Sequence, residues 1–133
     1  MTNHAYWNLS GDFQDTIREH QFKMNCSQVL PTDEITFPTG EMKDVEGTPY
    51  DFRGRVSTIL GDLRRLDGAC YGGGGSHGID NNFAIDRPKG SGKQLVKAVD
   101  VICQKSKNQM IISTTQNALI FYTGNFLQYF DLP

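Results

Sequence analysis

Residues 21–30, QFKMNCSQVL, alternate: Phe22, Met24 and Cys26 fall on one side of an extended chain and Lys23, Asn25 and Ser27 on the other. A period of two is that of a strand with one buried face, not the 3.6-residue repeat of a helix. It predicts a half-buried strand between His20 and Leu30. The next segment, PTDEITFPTGEM (31–42), is punctuated by Pro31, Pro38 and Gly40; proline fixes φ and lacks an N–H, so turns and strand edges are expected there. NQMIISTT (108–115) and NALIFYTGNFLQYF (117–130) are rich in β-branched and aromatic residues, which suit a pleated surface. Helical turns fit only DFQDTIREH (12–20) and STILGDLRRL (57–66), the latter through Ile59, Leu60, Leu63 and Leu66. DGACYGGGGSHG (67–78) reads as a flexible surface loop, because consecutive glycines lose the most backbone entropy on ordering. The expected architecture is all-β, with residues 1–133 forming one domain.

Composition narrows the partners. A net charge of −2, with acids and bases mixed along the chain, makes no field to attract a polyanion or a membrane surface. Arg53, Arg55, Arg64 and Arg65 are the notable basic group and read as a solvated face rather than a nucleic-acid stripe. Cys26, Cys70 and Cys103 are odd in number and widely spaced, which suits reduced thiols. With no apolar run of membrane-spanning length and no signal-peptide core, a cytoplasmic chain is expected, and the acceptor patterns at Asn8 and Asn25 are taken as chance.

Most motif-like features carry no chemistry. Gly73, Gly75 and Gly78 fit G-x-G-x-x-G, but no strand feeds the glycines and no helix leaves them. PKGSGK (88–93) lacks a phosphate loop's first glycine, where Arg87 stands, and has Gln94 in place of the Mg²⁺-binding hydroxyl. His4, His20 and His77 have no metal-ligand spacing, so no metal and no cofactor is expected. No nucleophile-elbow pattern nominates a serine or cysteine.

What survives is acid–base chemistry at His4. If NHAYWN (3–8) is extended, His4, Tyr6 and Asn8 share one polar face and Trp7 is free to be buried behind it. An imidazole with an unperturbed pKa of ~6.5 holds or releases a proton near neutrality. A hydrogen-bonded structural histidine is the plain alternative, and the residue alone does not choose between them. Tyr6 and Trp7 are read as core rather than as a stacking platform.

Four ordered segments sharpen this. TNHAYWNLSG (2–11) resembles the histidine motif of the aldose 1-epimerase, or galactose mutarotase, family. LPTDEITFPTGEMKDVEGTPYDFR (30–53) resembles the family's turn-rich stretch ending in G-T-P-x-D-F-R. GIDNNFAID (78–86) is similar to its G-x-D-H-N-F segment, and TTQNALIFYTGNFL (114–127) to its T-T-Q-P-G-x-Q-x-Y-T-G-N-F-L segment. The resemblance implies a β-sandwich of galactose-mutarotase type, here a partial one, and interconversion of the α and β anomers of a free aldohexose such as galactose or glucose. It implies that His4 is the catalytic acid serving the ring oxygen and that Asp80 binds the sugar hydroxyls, a task suited to a carboxylate.

The chain departs from the family pattern at two positions: Asn81 stands where the motif has histidine, and Ile120 where it has a sugar-contacting glutamine. Family members are considerably longer, with an arginine and a further histidine before T-N-H and a catalytic glutamate after Y-T-G-N-F-L. The expectation is therefore the central piece of a longer sandwich, holding the acid without the base.

Overall fold

The computed structural model describes residues 2–33, 35–54, 57–59, 61 and 78–127. A short 3₁₀ turn, Ile17–Glu19, is capped by Thr16, whose side chain accepts the Arg18 N–H. It leads into eight strands among the described residues: β1 (His20–Met24), β2 (Cys26–Leu30), β3 (Lys43–Asp44), β4 (Ser57–Thr58), β5 (Asp80–Ile85), β6 (Val96–Cys103), β7 (Gln109–Thr114) and β8 (Ala118–Tyr122). They form two antiparallel sheets of order β4-β1-β6-β7 and β3-β2-β5-β8. No described helix is long and apolar enough to cross a membrane.

The alternating stretch 20–30 is two strands, not one. It breaks at Asn25, where the chain passes from the first sheet to the second. Asn25 bridges the sheets: its N–H donates to the Ala98 carbonyl (2.8 Å), its own carbonyl accepts the Asp86 N–H (3.0 Å), and Nδ2 reaches the Asp86 carbonyl (3.1 Å). Beside it, Ser27 Oγ and N–H both donate to Asp86 Oδ1, at 2.6 and 3.0 Å. These bonds satisfy the backbone groups that a change of sheet would otherwise strand.

One apolar core lies between the sheets. β1 contributes Phe22 and Met24, β6 Ala98 and Val99, β2 Cys26 and Val29, and β5 Phe83 and Ile85. The turns add Val45, Tyr50 and Phe52. Phe22, Phe52, Phe83 and Phe121 meet as tilted or edge-on rings with centroids 4.5 to 6.2 Å apart, the arrangement favoured by the ring quadrupole. The 31–42 stretch is the expected turn: Asp33 Oδ1 accepts the N–H groups of Ile35 and Phe37, and Thr36 takes a positive φ of 69°. Most of the expected 57–66 helix and, apart from Gly78, all of the glycine-rich loop lie outside the described residues. Of the three cysteines, Cys26 and Cys103 are buried and free. Burial and the Asp86 carboxylate push the Cys26 thiol up to about 12, so it is inert as a nucleophile.

Candidate functional site

Along β5, Asn81, Phe83 and Ile85 are buried against the core, while Asp80, Asn82 and Ala84 face outward. Their cross-strand partners in β8 follow suit: Asp80 pairs with Tyr122, Asn82 with Ile120 and Ala84 with Ala118. Phe121, on the opposite side, packs on Phe22. The outer face of the second sheet therefore carries Asp80, Asn82 and Tyr122 in a row with the apolar Ala84, Ala118 and Ile120, and Asp80 and Tyr122 stand at its end.

The approach of β5 to this row is fixed from two sides. The Ile79 N–H donates to Thr123 Oγ1 (2.8 Å), and the Thr123 N–H donates to the Ile79 carbonyl (2.9 Å). Gly78 lies against the Asn125 side chain so closely that a Cβ at position 78 would overlap it; only glycine fits there. The Tyr122 hydroxyl accepts the Phe126 N–H (2.9 Å), which closes the turn over the end of β8.

The first residues of the chain lie over this end of the sheet. The Tyr6 ring meets Tyr122 edge-on with centroids 6.2 Å apart, and His4 packs on Tyr6 at 5.2 Å. His4 stands near enough for its charge to act on Asp80. The Asp80 carboxyl is raised above the usual carboxylate range by burial, and the His4 imidazole offsets part of that rise. His4, at the start of the chain, and Asp80, near its middle, are thus brought to the same end of the outer face.

The segment 2–8 is not a strand. Trp7 is 57 % exposed rather than buried, and Tyr6 is similarly open. The reason lies in what holds the segment, which is not alternation but hydrogen bonds at its C-terminal end. Asn8 Nδ2 donates to the Asp15 carbonyl (2.8 Å), and the Leu9 N–H donates to Nε2 of His20 (2.8 Å). The Leu9 carbonyl accepts from Ser106 Oγ (2.6 Å) and Asn108 Nδ2 (2.9 Å). His20 is 3 % exposed, and its Nδ1 makes no hydrogen bond of good geometry, the Ile17 carbonyl being the acceptor near the ring. Burial lowers its pKa, with the Ile17 carbonyl opposing in part.

Tyr122, Tyr6 and His20 were not among the residues singled out from sequence for the site. His20 shares the parity of Phe22, Met24 and Cys26, and a polar ring on the buried side of an alternating strand is a signal for it. The two departures separate in the structure. Asn81 is buried on the inner face, opposite in direction to Asp80, whereas Ile120 stands on the outer face, 64 % exposed, across from Asn82. A cavity of about 240 Å³ lined by Gly47, Thr48, Asp51 and Gly54 is walled by turn backbone, and its one carboxylate is held bidentately by Arg53 at 2.9 and 2.8 Å. Among the described residues no three metal-ligating side chains gather.

Comparison with known proteins bears on the family and the fold. The family model described as aldose 1-epimerase matches residues 1–132. Bovine galactose mutarotase is 36% identical over 128 residues, covering 96% of this chain and 33% of its own length. Aldose 1-epimerase of Escherichia coli is 36% identical over 132 residues, covering 96% and 34%. Among solved structures, an aldose epimerase homologue from C. elegans superposes with a TM-score of 0.73 at 26% identity, over 93% of this chain and 34% of that one. The chain thus spans about a third of the length of the curated relatives it matches. With a family model matched along nearly every residue and a sandwich superposable on such a homologue, this chain belongs to the aldose 1-epimerase family.

Proposed function

We propose that the outer face of the second sheet binds a free aldohexose, galactose or glucose, and that His4 and Asp80 serve its anomerisation. The observation that carries this reading is the run of ring contacts from His4 through Tyr6 to Tyr122, which brings the imidazole to the strand pair that holds Asp80. In this reading Asp80, ionised, accepts hydrogen bonds from sugar hydroxyls and fixes the pyranose. His4 gives a proton to the ring oxygen while a base takes the proton of the C1 hydroxyl. The C1–O5 bond breaks, leaving an open-chain aldehyde with a hydroxyl at C5. Rotation about C1–C2 presents the other carbonyl face; O5 attacks, returns its proton to His4, and the C1 oxyanion recovers its own from the base. The reaction is redox-neutral and balanced in protons.

Polarimetry on freshly dissolved α-D-galactose or α-D-glucose, with the buffer rate subtracted, tests the proposal. In a version of the protein that shows turnover, His4→Ala is expected to lower kcat by a factor on the order of 10² to 10⁴. Unchanged turnover removes His4 from the chemistry. A second reading, a relative that holds sugar without turning it over, is favoured by Ile120, which puts an apolar side chain on the ligand face. Calorimetric binding of either sugar with no catalysed mutarotation distinguishes it.

A further inference from the structure

Leu9 is held from a strand and a turn at once. Its N–H is bonded to the His20 ring at the start of β1, and its carbonyl to Ser106 and Asn108 in the β6–β7 turn. Upstream of Leu9, Asn8 is tied back to Asp15, while residues 2–7 are exposed and in no strand. Whatever orients His4 over Asp80 must therefore act through Leu9 and Asn8 or through the ring contacts of Tyr6.

The tautomer of His20 follows from its partner. An amide N–H donates only to an unprotonated ring nitrogen, so Nε2 is bare and the neutral ring carries its proton on Nδ1. Nδ1 has no partner in hydrogen-bonding geometry. A leucine or phenylalanine would fill this nearly closed position without an orphaned polar atom. The 2.8 Å bond from Leu9 is the well-formed one that the imidazole supplies and an apolar side chain would not, the Ile17 carbonyl standing nearby outside that geometry.

We propose that His20 is a positioning residue: its bare Nε2 anchors the Leu9 amide and thereby holds the His4 imidazole at the end of the sheet that carries Asp80. This rests on the role assigned to His4 above. His20 touches no reacting atom and acts only through the segment it holds. Because His4 offsets part of the burial-induced rise of the Asp80 carboxyl, the titration of Asp80 reports whether His4 is in place, independently of any turnover.

The test is carboxyl ¹³C NMR titration of Asp80 in wild type, His4→Ala, His20→Leu, His20→Gln and His20→Asn, with far-ultraviolet circular dichroism of each. His4→Ala moves the Asp80 midpoint upward. His20→Leu, folded, is expected to move it upward as well, whereas His20→Gln, whose Oε1 reaches the position of Nε2, leaves it unchanged. Should His20→Leu fail to fold, His20→Asn carries the same test, its shorter side chain failing to reach Leu9. A folded His20→Leu or His20→Asn with the wild-type midpoint overturns the proposal. So does ¹⁵N NMR of wild type showing Nε2 protonated in the neutral ring. Absence of catalysed mutarotation would sink the proposed activity and leave these outcomes as they are.

Discussion

At the scale of single residues, the site spends stability on Asp80. A carboxyl whose folded pKa lies above its unfolded one favours the folded state most in acid, and that contribution is lost as pH rises through the folded value. Near neutrality, then, an ionised Asp80 works against folding, and a structural role does not explain its place on the outer face. Asp80→Asn is expected to leave the thermal midpoint at pH 7 unchanged or higher while weakening sugar binding by roughly 10- to 100-fold, the worth of a charge-assisted hydrogen bond. Calorimetry in both modes measures the pair; a lower midpoint with intact binding would reverse the assignment. The pairing of His4 with Asp80 came from motif resemblance, since nothing in their spacing brings them together. Tyr6 was read as core because aromatic residues usually are, yet its ring lies on Tyr122 at the open face.

At the scale of elements, the alternation of 20–30 marked the strands and concealed their number. Both sheets face one core, so Phe22, Met24 and Cys26 point inward on either side of Asn25, and a period of two does not register a change of sheet. β6 carries no clear period in the sequence for a related reason. The ladder shifts register between Lys97 and Val99, so Ala98 and Val99 are both buried and the alternation fails locally. β5 was recognised as a motif and not as a strand, because Asn81 and Asn82 are poor strand formers whose place is set by neighbours on either side. The glycine just before it, Gly78, lies against the Asn125 side chain. Gly78→Ala forces Cβ into Asn125, and an overpacking cost of about 1–3 kcal/mol is expected by chemical denaturation. Asn125→Gly made together with it, which removes the Cβ as well as the amide that a side chain at 78 would meet, should recover part of the loss; no recovery would mean the strain lies elsewhere.

At the scale of the whole molecule, β7 and β8 end their respective sheets among the described residues. β7 carries Ile111 on its outer side, 55 % exposed and opposite Asp100, and neither strand holds a charged residue. Long uncharged edges of this kind recruit further strands. Residues 1–133 expressed alone are expected to associate at micromolar concentration, and Ile111→Lys to increase the monomer fraction in light scattering after size exclusion. A monodisperse wild-type monomer would contradict this. All-β architecture was legible from composition and period, whereas the division into two sheets depends on contacts between distant segments that no local pattern encodes.

The central claim is that His4 and Asp80 face one sugar. Titration of D-galactose into protein labelled at the histidine rings and aspartate carboxyls, followed by NMR, tests it most directly. The His4 and Asp80 signals should shift together and saturate at the same concentration, and Asp80→Asn should abolish the His4 shift. Signals that stay fixed, or a shift at only one of the two, would contradict it.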